Sequence, residues 1–453
     1  MAKNKWFGTD GVRGVANVFP MNADFAFRLA AAAAQLICTK EKKVAIARDT
    51  RVSGDMLEAA LSAGFMSAGV DIVSLGVVPT PAVTALASGL GADMALMITA
   101  SHNPYQDNGI KLIAADGNKF SDEMTARLEA LIEQNSFVFD AEKIGCRSCS
   151  DEVLNRYKQI ALSTAKGGKP LQGLKIVLDC ANGCFSTIMP QLFAELGADV
   201  KAIACAPDGY NINRDCGSQH VEKMLAEVRK QNADLGIAVD GDGDRIKVCD
   251  EKGELVRSEQ LIAFLAQYLE QKGENRGRPV VSTILSNTGL EKFVRGTLGL
   301  GYYSTPVGER PVVEKMRETG GAVGGEESGH IVLSDYSRSG DALMVSLVLA
   351  EGLKAAGKKM SEIFPLFEFE HLFFENPRLK SREQVKPIAL SAEVQALLEE
   401  CRRDLGETGR AVIHPSGTEP LIRVWVCGSD AARVDEAGSR LLALIEKMRD
   451  AQS

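Results

Sequence analysis

Two short runs carry side chains able to do chemistry together. In Thr99-Ala100-Ser101-His102-Asn103-Pro104 a serine ends an apolar segment, residues 94–98. In Asp240-Gly241-Asp242-Gly243-Asp244-Arg245 three carboxylates alternate with glycines and an arginine follows. A hydroxyl that can carry a phosphoryl group and a carboxylate nest for a hard divalent cation fit phosphoryl transfer through a phosphoserine.

Each run has competitors. Ser101 is no nucleophile elbow, because Gly-x-Ser-x-Gly is absent and the adjacent His102 is poorly placed as a triad base. An ST-turn before Asn103-Pro104 is the structural alternative. The aspartates open like an EF-hand, with Glu251 at the twelfth position, but Arg245 stands where the loop needs glycine. Its flanks, 235–239 and 246–249, read as strands. An aspartyl nucleophile of the haloacid-dehalogenase kind is the nearer rival. Alternating glycines suit a tight loop turning Asp240, Asp242 and Asp244 toward one magnesium ion, with Arg245 beside the phosphoryl oxygens.

Two further loops are chemically loaded. Glu326 and Ser328, in Gly325-Glu326-Glu327-Ser328-Gly329-His330, could hold a polyol through hydrogen bonds; an acidic turn is the plain alternative. Ser416-Gly417-Thr418-Glu419-Pro420, with Arg423 after it, suits a non-reacting phosphate, and it lacks the Gly-Lys-Ser/Thr of a Walker loop. Of five histidines, His102, His330 and His414 fall in these loops; His220 and His371 read as helix-edge or surface residues. Lys111 could be a general acid/base or a solvated lysine.

The elements that must position these loops repeat three times. Strands at 43–49, 71–75 and 94–98 alternate with helices at 55–70 and 80–90. Strands at 174–179, 200–204 and 235–239 alternate with helices at 187–196 and 221–231. Strands at 279–285, 302–304 and 321–323 alternate with helices at 289–298 and 310–317. Such alternation implies βαβ units and mainly parallel sheets, whose binding loops lie beyond the carboxyl ends of the strands. Each copy puts one loaded loop there. Residues 391–405 and 433–449 read as helices around strands 410–413 and 421–427, a smaller α+β unit reached through the polar stretch 378–387. The expected domains are 1–155, 156–256, 257–372 and 373–453.

With 453 residues, 45% apolar and 25% charged, the chain is a soluble globular protein of three or four domains, at roughly 150 residues each. A net charge of −8 argues against a nucleic-acid surface. No signal segment opens the chain, and no apolar stretch nears the ~20 residues a bilayer needs, so no membrane partner is expected. Ten scattered cysteines suggest no disulfide framework; Cys146-Arg147-Ser148-Cys149 reads as a solvated loop with free thiols. The expected compartment is the cytoplasm.

Together with Phe7-Gly8-Thr9-Asp10-Gly11-Val12-Arg13-Gly14 and Ser286-Asn287-Thr288-Gly289-Leu290-Glu291, the four loops resemble the α-D-phosphohexomutase family across essentially the whole chain. The resemblance implies three similar α/β domains plus a smaller C-terminal α+β domain around a central cleft. It makes Ser101 the phosphoserine, with Mg²⁺ bound by its phosphate and by Asp240, Asp242 and Asp244. Arg245 would stabilise the transferring group, Lys111 and His330 would handle protons, and Arg13 and His102 would flank the phosphoserine. Glu326 and Ser328 would contact sugar hydroxyls, and Ser416, Gly417, Thr418 and Arg423 the distal phosphate.

The implied reaction converts glucosamine 6-phosphate to the 1-phosphate through a 1,6-bisphosphate, as a precursor of UDP-N-acetylglucosamine and the cell envelope. The small-molecule hexosamine phosphate is the partner; a homodimer and an external priming donor for Ser101 are compatible with it. Two departures stand out. His414 replaces an arginine usual in the family, so it would have to be protonated to bind phosphate. Glu327 replaces a glutamine usual in members acting on glucosamine phosphate, which keeps glucose and mannose phosphates in play. A phosphatase using Asp240, and a sugar-phosphate-binding relative with a decayed site, are the remaining readings.

Overall fold

The computed structural model describes residues 5–8, 10–164, 168–416 and 419–451. Strand Met94–Ile98 is buried along its length, as an apolar run in the middle of a covered sheet must be. It pairs in parallel with Lys43–Arg48, which pairs in parallel with Asp71–Val77. Asp107–Ala114 runs antiparallel to Met94–Ile98 on its other side, followed by Val12–Val15. Arg147–Cys149 completes a six-stranded sheet as an edge. Cys146 therefore precedes an edge strand and Cys149 ends it, rather than both lying in a loop, and all ten cysteines are free.

The second sheet has Lys175–Asp179 between the parallel strands Asp199–Ile203 and Leu235–Val239. Ile246–Asp250 and Leu255–Val256 add an antiparallel edge. In the third, Val280–Thr283 lies between Tyr302–Thr305 and Val323–Gly325 in parallel, and Ile331–Leu333 folds back beside the latter. In these three sheets each strand preceding a loaded loop is thus internal, with an antiparallel strand on one side. The helix expected at 289–298 is short, Thr288–Lys292, and passes into a wider π-type turn, Phe293–Thr297.

The C-terminal sheet is antiparallel, with Ile422–Gly428 between Gly409–Pro415 and His371–Glu375. Val394, Leu398 and Cys401 on one helix and Val434, Leu441 and Ile445 on another bury its apolar side. Two expected boundaries fall inside elements. The 155/156 cut lies within helix Glu152–Thr164, and the 372/373 cut within strand His371–Glu375. Nor is 378–387 a bare connection: it holds a tight turn, Arg382–Gln384, and the start of helix Val385–Ala389. One apolar cluster runs through the first three sheets and takes in Val78, Tyr157, Leu178, Ile237, Leu265 and Leu343. Among the described residues no helix is long and apolar enough to cross a membrane.

Candidate active site

Ser101 lies past the end of strand Met94–Ile98, buried, with φ +54°. A non-glycine residue there is strained and persists only where its surroundings fix it. Arg51 supplies the fixing. Its Nη2 donates to Ser101 O at 2.9 Å and to Asn103 O at 2.8 Å, and its Nη1 to Asp107 O at 3.0 Å and to Pro104 O. Asp49 accepts from Arg51 Nε at 2.9 Å and from Thr99 Oγ1 at 2.7 Å. Asn213, from beyond the second strand of the second sheet, donates to the same two carbonyls, Ser101 O and Asn103 O.

The hydroxyl so presented donates to Asp240 Oδ2 at 2.6 Å, and His102 Nδ1 lies 3.2 Å from it. Burial, then Arg245 and Arg13, lower the His102 pKa to about 3, so this imidazole is neutral. Asp240, Asp242 and Asp244 follow strand Leu235–Val239, and each offers a buried oxygen within 4.8 Å of the others. Gly241 is needed for this approach, since a Cβ there would sit 2.9 Å from Ser101 O; Gly243 has φ +78°. Burial and the repulsion of Asp244 and Asp242 hold the Asp240 pKa well above the usual carboxylate range. Asp242 Oδ1 is buried and has no hydrogen-bond partner. A partnerless oxygen in a nest of three carboxylates fits a hard divalent cation.

Three consecutive carbonyls of this loop are each taken by an amide from a different unit. Cys184 N–H donates to Gly241 O at 2.9 Å, Thr80 N–H to Asp242 O at 3.0 Å, and Ala342 N–H to Gly243 O at 3.1 Å. Thr80 Oγ1 also donates to Asp242 Oδ2 at 2.6 Å.

Lys111 is no solvated lysine. It is 4% exposed, with Nζ 2.7 Å from Asp242 Oδ2 and 2.9 Å from Asp244 Oδ2. Burial opposes its charge, but Asp10, Asp242 and Asp244 outweigh burial and raise its pKa well above the ordinary value. Behind it, Asp10 pairs with Arg13 at 2.7 Å and with Lys119 at 2.6 Å, and Lys119 pairs with Glu309 at 2.7 Å. This chain of alternating charges borders a cavity of about 880 Å³, open to solvent, between the first and third sheets.

The 325–330 loop closes the other side. Burial and Arg245 work against protonation of His330. Asp244 Oδ1, 3.1 Å from Nε2, and Glu326 Oε2, 3.2 Å from Nδ1, prevail and raise its pKa to about 10. Glu326 also accepts from Gly308 N–H at 2.8 Å, and Ser328 Oγ lies 3.3 Å from His330 Nδ1. Arg245 donates its N–H to Asp240 Oδ1 at 3.1 Å and places Nε 3.3 Å from His330 Nε2. Glu327, largely buried, accepts from Thr283 Oγ1 at 3.3 Å, and burial pushes its pKa up.

Thus Arg13, Ser101, His102, Lys111, the three aspartates, Arg245, Glu326, Ser328 and His330 form one connected cluster. His414 and Arg423 lie on the C-terminal sheet, Ser416 lies just past the end of strand Gly409–Pro415, and Gly417 and Thr418 lie outside the described residues. His414 faces Arg423 across the sheet, Nδ1 3.4 Å from Nη1. Burial and the Arg423 cation lower the His414 pKa, which works against the protonation that phosphate binding would require. That sheet is fastened to the third unit by Arg410–Glu291 at 2.7 Å and by Leu285 against Val412 and Trp425.

Sequence reasoning missed Asp49, Arg51, Asn213, Lys119 and Glu309. For Asp49-Thr50-Arg51 a signal existed: charges directly after an apolar strand, where loops of parallel sheets converge. Asn213 sits in a turn and Glu309 at the start of helix Glu309–Thr319, both with partners remote in sequence, and spacing carries no sign of them.

Three α/β units with loaded loops at their strand ends, and a fourth antiparallel unit, are the architecture of the phosphohexomutases. The chain belongs to the phosphoglucomutase/phosphomannomutase family: residues 4–139, 153–253 and 257–368 match its alpha/beta/alpha domains I, II and III, and 376–443 its C-terminal domain. It is similar to a phosphoglucosamine mutase of Rhodospirillum rubrum, 44% identical over 98% of this chain and 99% of the relative. A phosphoglucomutase/phosphomannomutase family protein of Burkholderia thailandensis shares the fold, with TM-score 0.82, 24% identity and 98% of each chain covered. So does Aspergillus fumigatus N-acetylphosphoglucosamine mutase, solved with GlcNAc-6P and magnesium. It has TM-score 0.65 and 17% identity, and the match covers 100% of this chain and 96% of that one.

Proposed function

We propose that this protein is a phosphoglucosamine mutase that interconverts glucosamine 6-phosphate and glucosamine 1-phosphate through a phosphoserine at Ser101. The observation that carries this reading is the Ser101 hydroxyl, 2.6 Å from Asp240 in a nest where Asp242 Oδ1 has no partner. The full-length likeness to phosphoglucosamine mutases supports the substrate. Asp240, Asp242 and Asp244, with the Ser101 phosphate, would hold one Mg²⁺, which supplies positive charge to the phosphoryl oxygens.

In the first transfer the sugar 1-hydroxyl attacks phosphorus, an O–P bond forms there, and the bond to Ser101 Oγ breaks. The hydroxyl loses a proton and the serine oxygen gains one. Lys111 and His330, both held protonated, suit donation; His102, held neutral, suits acceptance. The 1,6-bisphosphate turns end for end, and Ser101 Oγ takes the 6-phosphoryl group back. Arg245 and Arg13 face the charge that develops, Glu326 and Ser328 read hydroxyls in both orientations, and Ser416, Gly417, Thr418, Arg423 and His414 hold the idle phosphate. Fixed charges and positioning supply most of the rate. Ten free thiols fit a reducing cytoplasm, where amino-sugar nucleotides would be supplied.

Glu327 favours a second reading, a mutase of glucose or mannose phosphates. Turnover of the three hexose 6-phosphates by phosphorylated protein, followed by product NMR, separates the two. A glucosamine preference abolished by Ser101→Ala is expected. Faster turnover of glucose or mannose phosphate selects the second reading. Phosphate release that survives Ser101→Ala points to a phosphatase, and binding without phosphoserine to a decayed site.

A further inference from the structure

Helix Ala342–Ala356 starts on Asp341, whose Oδ1 accepts the Met344 N–H at 3.0 Å and the Tyr157 phenol at 2.7 Å. Asp341 is 1% exposed and Tyr157 fully buried. The residue after the cap is Ala342, whose N–H holds Gly243 O in the aspartate loop at 3.1 Å. That loop keeps three buried carboxylates within 4.8 Å of one another against their mutual repulsion. Its geometry therefore depends on the groups that grip its backbone, and the Ala342 grip comes from a helix end whose direction is set by its cap. Tyr157 rides on helix Glu152–Thr164, so its hydroxyl ties this cap to a third part of the chain.

We propose that Asp341 is a positioning residue for the 240–245 loop, fixed by Tyr157, and that the pair sets how tightly the loop binds a divalent cation. The inference rests on reading Asp240, Asp242 and Asp244 as a cation site. Neither residue touches the cation; both act through the first turn of the helix. The approach to Asp341 is pinned independently: Ser339 Oγ lies 2.8 Å from Thr84 Oγ1, and Gly340 N–H donates to Glu309 Oε1 at 2.7 Å. Loss of the phenol should thus loosen the grip on Gly243 without unfolding the segment.

The test is Mn²⁺ binding to the full chain, followed by the electron paramagnetic resonance signal of the free ion. Wild type, Tyr157→Phe, Asp341→Asn and the double variant are compared. Asn22→Ala, which removes the cap of helix Ala23–Leu36 away from the loop, controls for general destabilisation. Each single variant should weaken Mn²⁺ about fivefold, the size of one lost hydrogen bond. The double variant should add little, because both act on one contact. kcat at saturating metal should stay within about twofold. Unchanged Mn²⁺ affinity in Tyr157→Phe, weakening equal to that of Asn22→Ala, or additive losses would overturn the proposal; Tyr157→Phe decides it if Asp341→Asn does not fold. Failure of the wild type itself to bind Mn²⁺ would instead remove the cation site, and the proposal with it.

Discussion

Ser101 Oγ and Asp240 Oδ2 share a 2.6 Å hydrogen bond inside a fully buried pair. The proposed phosphoryl carrier and the first carboxylate of the proposed cation nest are therefore one unit. Asp240→Asn keeps the shape and removes the charge. It should lower kcat by about 10²–10³ with little change in the sugar-phosphate KM, the pattern of a group that acts in the transition state. Steady-state kinetics check this, and an unchanged kcat would uncouple the two residues.

Lys111 neutralises Asp242 and Asp244 from 2.7 and 2.9 Å. Lys111→Met removes one positive charge from both carboxylates, Asp244 keeping His330, so a divalent cation should bind more tightly, by about tenfold, while kcat falls by about 10² or more. Calorimetric titration with Mg²⁺ beside turnover measurements reads both effects. Weaker metal binding would contradict the charge balance described above.

The His330 pKa is raised from its ordinary 6.5 to about 10. Its ion pairs with Asp244 and Glu326 thus contribute fully below about pH 6.5, and the contribution is lost as pH rises through about 10. The Tm of wild type should exceed that of His330→Gln at neutral pH, and the two should converge above about pH 10. Turnover should fall over the same alkaline limb. A constant Tm difference across that range would mean the imidazole is neutral throughout.

Arg51 and Asp49 are both fully buried, and Arg51 holds the left-handed turn at Ser101. Removing the guanidinium by Arg51→Met strands a buried carboxylate and takes one donor from four carbonyls, of which Ser101 O and Asn103 O keep Asn213. A loss of about 3–5 kcal/mol in unfolding free energy is expected from urea titration. A loss below about 1 kcal/mol would show the turn to be held by other contacts.

Burial and the Arg423 cation lower the His414 pKa, so the neutral imidazole predominates at neutral pH. His414→Arg should lower the sugar-phosphate KM about tenfold, the effect of one charged hydrogen bond. The gain should be flat between about pH 7 and 9, where the imidazole is already neutral. A gain that appears only at high pH would restore the protonated histidine.

The sequence exposed what is local. Ser101, the three aspartates and Glu326 could be found because each follows an apolar strand, and the strand boundary at 235–239 is the observed one. Helix Ala23–Leu36 was not found, although Asn22 stands ready as its cap. Strand His371–Glu375 was missed because partial exposure blurs its alternation. The states of the site residues were out of reach for another reason. Lys111 looks like any lysine until Asp242 and Asp244, remote in sequence, close around it. His414 looks like a candidate cation until the sheet sets Arg423 opposite.

The three amides on Gly241, Asp242 and Gly243 also bear on how such chains can be recombined. A chimera that takes the first or third α/β unit from a relative presents the Thr80 or Ala342 amide from a foreign backbone, while Cys184 stays with the loop in the second unit. Its loop would be misregistered even with every aspartate in place. Exchange of parts should succeed at the C-terminal sheet, whose joint is Glu291–Arg410 and an apolar patch.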